Sequence, residues 1–179
     1  LFKLGRGKRP TVVSGVPPDY FSATGQLWGN PVYDWDRLKE TGYRWWLQRL
    51  RRNLELFDIV RIDHFRGFVA YWEVPAKEKT AVKGKWVACP TEDFFNTVFK
   101  HFSRPALVAE DLGFITADVR EAIHDLGFPG MRVLLFAFGD DPAGSPHSPH
   151  RLCENLLYYT GTHDNNTVLG WYREEASAE

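Results

Sequence analysis

Short apolar runs that end on a carboxylate recur along this chain, and that pattern restricts its fold more than any other feature. Ile59-Val60-Arg61-Ile62 stops at Asp63-His64, the run over 106–109 stops at Glu110-Asp111, and the run over 156–159 leads into Thr162-His163-Asp164. Stretches of helical spacing lie between or beside them. Tyr43, Leu47, Leu50, Leu54 and Phe57 recur every three or four residues, which predicts a helix over 34–57 with one apolar face. A second helix is expected over 91–102, with Glu92 and Asp93 at its positive end. A third is expected over 116–126, opened by Thr116 and closed by Gly127. The apolar run over 131–138 reads as a further strand.

Strands alternating with helices argue for a parallel sheet, and near-continuous apolar strands argue for cover on both faces. A doubly wound sheet usually carries a Gly-rich phosphate loop, and neither GxGxxG nor GxxxxGK[ST] occurs. The fold class is therefore α/β, a partial (β/α)8 TIM barrel. A complete barrel takes roughly 250 residues, whereas this 179-residue chain supplies about four βα units. It is expected to form a single unit over 1–179. Residues 1–33, rich in Gly and Pro, would be a long active-site loop, and 34–179 would carry the βα units, with 67–90 irregular. The chain opens on Leu1 rather than Met and reads as an internal piece of a longer protein.

Composition narrows the partners. A net charge of -1 gives no whole-chain attraction for nucleic acid or an anionic membrane, and no apolar stretch approaches a membrane span. Cys89 and Cys153 stand in unrelated contexts, which indicates a reducing compartment and no CxxC metal site. Aromatics reach 15%, enough to fill a core or to line a groove that stacks on flat ligands.

In a barrel the C-terminal strand ends share one face, where active sites are built. Asp63, Glu110 and Asp164 would converge there, two of them beside a His. A lone strand-end Asp is more often a cap or loop acceptor; three in register favour a site. Two chemistries suit them. A retaining glycosyl transfer uses a carboxylate nucleophile and a carboxylic acid about 5–5.5 Å apart, and a third anion can steady the oxocarbenium-like transition state. A divalent metal held by carboxylates and His is the other; no HxH pair occurs, and spacing alone leaves a Mg2+ site open. In the first loop, Tyr20, Phe21 and Trp28 offer flat faces, and Gln26 and Asn30 offer amides, the mixture that binds sugars.

The motifs then carry a family resemblance. SGVPPDYFSATGQLWGNPVYDW over 14–35 resembles the active-site loop of 4-alpha-glucanotransferases, the amylomaltase or disproportionating-enzyme family of the alpha-amylase clan. RIDHFRGF over 61–68 resembles the nucleophile motif, VAEDLG over 108–113 the acid/base motif, and PGMRVLLFAF and YTGTHDNNT the next two barrel segments. The resemblance implies Asp63 as the nucleophile, Glu110 as general acid then base, and Asp164 as transition-state stabiliser. It implies that Arg61 keeps Asp63 ionised and that His64 and His163 bind sugar hydroxyls. It implies glucan contacts for Tyr20, Phe21, Gln26 and Trp28. The activity implied is transfer of alpha-1,4-glucan segments among maltooligosaccharides or alpha-glucans derived from starch or glycogen, through a covalent glucosyl-Asp. No cofactor or metal and no nucleic-acid or membrane partner is implied, and the expected location is the cytoplasm, or a plastid in a plant. The alternatives are an alpha-glucan hydrolase and an inactive glucan-binding piece; the isolated 179 residues are expected to turn over negligibly. Ala117, Leu135 and Asn166 stand where the family often has Pro, Gln and Asp.

Overall fold

A computed structural model describes residues 1–19, 22–113, 115–139 and 141–176. Four short parallel strands form the part that the sequence foreshadows: β3 (Val60–Ile62), β6 (Leu107–Ala109), β7 (Gly130–Val133) and β8 (Leu156–Tyr159). β3 pairs with β6 and β7 pairs with β8, both in parallel register. The amide of Ala109 donates to the carbonyl of Pro129 at 2.8 Å, which joins the two pairs at the entry to β7. All three residues of β6 are buried, as a strand covered on both faces requires.

The remaining strands correct the expectation of a loop over 1–33 and an irregular stretch over 67–90. β1 (Val12–Val16), β2 (Gln26–Pro31), β4 (Ala70–Pro75) and β5 (Lys85–Ala88) make one antiparallel sheet in the order β2-β1-β4-β5. Gly and Pro obscured the alternation in the first hairpin. Glycine is obligatory at its turn: Gly25 has φ +66°, and a Cβ there would stand 2.3 Å from the carbonyl of Val16. Lys3 anchors the N-terminal segment to this sheet, 2.5 Å from the buried carboxylate of Glu73 on β4.

The helix expected over 34–57 is two helices, α1 (Trp35–Glu40) and α2 (Arg44–Leu56). Gly42 and Tyr43 both have positive φ and break the chain between them, and the apolar spacing that suggested one helix begins only at Tyr43. α3 (Thr91–His101) and α4 (Ala117–Asp125) lie where expected, and a short α5 (Val168–Glu174) was not foreseen. The strand expected over 131–138 ends at Val133 and tightens into a 3-10 turn over Leu134–Ala137.

The main core is aromatic. Trp35, Phe65, Phe68, Phe94, Phe95 and Phe128 pack with the apolar faces of α2, α3 and α4 against β6. Burying each such ring contributes about 1.5–3 kcal/mol, so much of the aromatic excess is core material. A smaller cluster of Met131, Val133 and Leu135 lies beside β7. Leu135 is thus buried in this second core, where the family often has Gln.

Candidate active site

Asp63 and Glu110 end β3 and β6, which are hydrogen-bonded neighbours, so the sheet itself brings the two carboxylates side by side. Past β3 the chain turns sharply. His64 sits in the left-handed region at φ 46°, a conformation uncommon for any residue but glycine. Its amide donates to Glu110 Oε2 at 2.7 Å. The amide of Leu112 donates to Glu110 Oε1, also at 2.7 Å. Both carboxylate oxygens of Glu110 are therefore held by backbone, one of them through the residue next to Asp63. Arg61 Nη2 stands 3.0 Å from Asp63 Oδ1, forming the ion pair the motif led us to expect.

The environments of the two carboxylates differ. Burial pushes the Glu110 carboxyl above its ordinary range and outweighs the pull of the two amides; the negative charge of Asp63 pushes in the same direction, and Arg61 opposes it. The Asp63 side chain is 75% exposed. A buried carboxyl with a raised pKa thus stands next to an open, Arg-paired carboxylate, so the two groups are not equivalent. His64 moves the other way: burial lowers its imidazole below the usual value, and Asp63 only partly offsets this. The neutral ring can both donate to and accept from a hydroxyl.

A cleft of about 720 Å³ opens beside Glu110. Gln26 and Trp28 of β2 form one wall, where the indole N–H of Trp28 donates to Gln26 Oε1 at 3.1 Å. Trp28 meets the His64 ring edge-on, with centroids 4.8 Å apart. The opposite side carries Arg66, Trp86 and Thr116. Glu110 lines this cleft and Asp63 does not.

The other expected residues separate from this group. Asn30 lies exposed on β2 and is not in the cleft wall. Tyr20 and Phe21 lie outside the described residues. Asp164 and His163 occupy a turn past β8 that is knit by Asn165, whose Oδ1 accepts from the amide and the hydroxyl of Thr162. Both side chains are more than 70% exposed and stand 3.4 Å apart. No hydrogen bond or ion pair among the described residues joins Asp164 to Asp63 or Glu110. Asp111, the neighbour of Glu110, faces away from the cleft: it accepts from the amide of Met131 at 2.8 Å and pairs with Arg132 at 2.9 Å. Among the described residues, no group of three or more His, Cys, Asp or Glu could hold a metal ion.

The sequence reading passed over Arg66, Trp86 and Thr116. Trp86 sat in the stretch read as irregular, and its pairing opposite Trp72 across β4 and β5 is the missed signal. Thr116 occupies the cap position of α4, but its hydroxyl accepts from Arg66 Nη1 at 2.7 Å and does not cap the helix.

Comparison with known proteins places this geometry. The family model described as 4-alpha-glucanotransferase matches residues 1–179. A 4-alpha-glucanotransferase of Streptococcus pneumoniae is 52% identical over 98% of the chain, and one of Thermus thermophilus is 55% identical over 96%. The chain spans 34% and 35% of those relatives, about a third of their length. Among solved structures, the amylomaltase from Streptococcus agalactiae in complex with acarbose superposes with a TM-score of 0.91 at 41% identity, covering 98% of this chain and 36% of that one. An amylomaltase from Corynebacterium glutamicum, 24% identical, shares the fold with a TM-score of 0.79 over 92% of this chain and 23% of that one. With the fold, the paired carboxylates and the matching family in agreement, this chain belongs to the 4-alpha-glucanotransferase family.

Proposed function

We propose that this chain carries the nucleophile and the acid/base of a retaining 4-alpha-glucanotransferase, set on an arc of a (β/α)8 barrel. The observation that carries the reading is the junction of β3 and β6: an exposed carboxylate paired with Arg61, beside a buried one gripped by two amides. Asp63 attacks the anomeric carbon of an alpha-1,4-glucan and forms a covalent glucosyl ester. Glu110 gives its proton to the departing 4-oxygen, so the leaving glucan departs as an alcohol. A second glucan's 4-hydroxyl then enters, gives its proton to Glu110 and attacks the same carbon, releasing Asp63. The two inversions restore the alpha configuration.

Asp164 and His163, exposed on the turn past β8, meet sugar hydroxyls, and through them Asp164 steadies the transition state. Trp28 supplies an apolar face and Gln26 a polar one beside Glu110. Acceptors and donors are maltooligosaccharides and related alpha-glucans, in keeping with the acarbose held by the Streptococcus agalactiae amylomaltase. Transfer prevails over hydrolysis where the cleft excludes water and holds an acceptor. The test is incubation of the protein, as its gene encodes it, with maltotriose. A ladder of longer maltooligosaccharides with released glucose is expected. Stoichiometric reducing-end release without a ladder would indicate a hydrolase, and no products at all would mark a binding protein.

A further inference from the structure

The cleft beside Glu110 holds two separate clusters. Glu110, His64 and Trp28 form the first, linked by the His64 amide and the ring contact. Arg66, Trp86 and Thr116 form the second. The Arg66 guanidinium carbon lies 4.1 Å from the Trp86 ring centroid, and Arg66 Nη1 donates to Thr116 at 2.7 Å. The Trp86 ring also meets Trp72 at 5.3 Å and Trp72 is fixed by its own bond to the carbonyl of Ala81, so the platform under Arg66 is itself braced. A guanidinium carries five N–H donors. Among the described residues, the bond to Thr116 is the one hydrogen bond the Arg66 guanidinium makes, the Asp118 carboxylate acts on it only as a nearby charge, and its side chain lines the cleft.

The side of the cleft follows from chemistry. A general acid protonates the leaving oxygen and therefore stands on the side of the leaving, and later the accepting, glucan. This cleft is lined by the acid Glu110 and not by the nucleophile Asp63. We infer that Arg66, held over the Trp86 ring, is an acceptor-binding residue: its remaining N–H groups donate to hydroxyls of a glucose unit beyond the one that receives the new bond. The site takes a neutral, hydroxyl-rich alpha-glucan of two units or more. This role rests on the transferase reading above. Stacking and the Thr116 bond fix the fork in advance, which lowers the entropic cost of each hydroxyl contact.

The test uses the full encoded protein and a maltooligosaccharide donor blocked at its non-reducing 4-hydroxyl, so that it cannot itself accept. Glucose, maltose and maltotriose are compared as acceptors. Arg66→Gln is expected to raise the acceptor KM for maltose and maltotriose about tenfold, the scale of one lost charged hydrogen bond. The KM for glucose and the kcat at saturation should stay within about twofold of wild type, because the bond-making cluster is untouched. Thr116→Val, which removes only the strut, should raise the KM for maltose and maltotriose in the same direction but by less than Arg66→Gln, with the KM for glucose unchanged. Trp86→Leu alters an exposed ring and carries the same prediction as Arg66→Gln if that variant fails to fold. Equal losses with all three acceptors would mean that Arg66 only ties two loops together, and an unchanged acceptor KM would equally overturn the inference. A wild-type protein that transfers nothing would sink the transferase reading and this inference together.

Discussion

The two ends of the parallel arc differ in how much each carboxylate owes to its surroundings. At β3 and β6, Glu110 is gripped by two amides over an aromatic core, and its turn is bonded back to the sheet through the Phe65 amide and the Glu110 carbonyl at 3.1 Å. At β8, Asp164 stands 77% exposed on a turn held by one asparagine. The first region builds its chemistry into the backbone. The second presents a carboxylate whose role depends on what enters from solvent. Backbone preorganisation is thus concentrated at Glu110 and sparse at Asp164, the distribution that the roles proposed for them call for.

This contrast can be broken by measurement. Asp63→Asn should produce the largest loss, at or beyond the ~10⁴-fold upper end of what one positioned acid supplies. Glu110→Gln should lower kcat with oligosaccharide donors by roughly 10²–10⁴-fold; steady-state kinetics with maltotriose reads both. The pH profile separates the two further. In the proposed mechanism Glu110 acts in its protonated form; burial and Asp63 raise its pKa, so kcat/KM should fall as pH rises through that raised value. Asp63→Asn removes a neighbouring negative charge and frees Arg61, so the titration of Glu110, followed by carboxyl carbon NMR, should move to lower pH.

Stability sharpens the same comparison. Phe95→Ala, in the fully buried aromatic core, should cost about 3–5 kcal/mol in denaturant unfolding. Asp111→Ala should cost about 1–3 kcal/mol, because it strands the Met131 amide and the partly buried Arg132. Asp164→Asn should stay within about 0.5 kcal/mol of wild type, since nothing buried depends on it, and yet lower turnover. A large stability loss at Asp164 would remove the distinction between the regions.

Much of this was legible in the sequence because β3 and β6 are short apolar runs that stop directly on acids, which put Asp63 and Glu110 at strand ends before their parallel pairing was known. The antiparallel sheet was not legible. Its hairpin is laced with Gly15, Gly25 and Pro31, whose steric roles emerge only when the strands approach: a Cβ on Gly15 would stand 2.4 Å from the carbonyl of Gln26. The break at Gly42 and Tyr43 went unread because the apolar period begins only at Tyr43 and carries no information about α1, which buries Trp35 and Leu38. Glu110 was singled out over its neighbour Asp111, and the two do part just past β6: Glu110 lines the cleft while Asp111 accepts from the Met131 amide of β7. Arg66 lay inside the RIDHFRGF motif without a role and Trp86 in a stretch read as irregular, since their contact depends on a sheet the sequence did not announce. Asn166, where the family often has Asp, accepts from the amide of Thr167 and donates to Glu174 and Glu175, so its amide serves the start and end of α5.

The central claim is that Asp63 becomes glycosylated while Glu110 handles the proton. The most direct test is to trap the intermediate on a Glu110→Gln variant of the full encoded protein, with a fluorinated maltosyl fluoride whose departure needs no acid, and to locate the added mass by peptide sequencing. The account predicts one sugar adduct on the peptide containing Asp63, lost when Asp63→Asn is added. An adduct on Asp164 or another carboxylate, or none under conditions where the wild type turns over maltotriose, would contradict it.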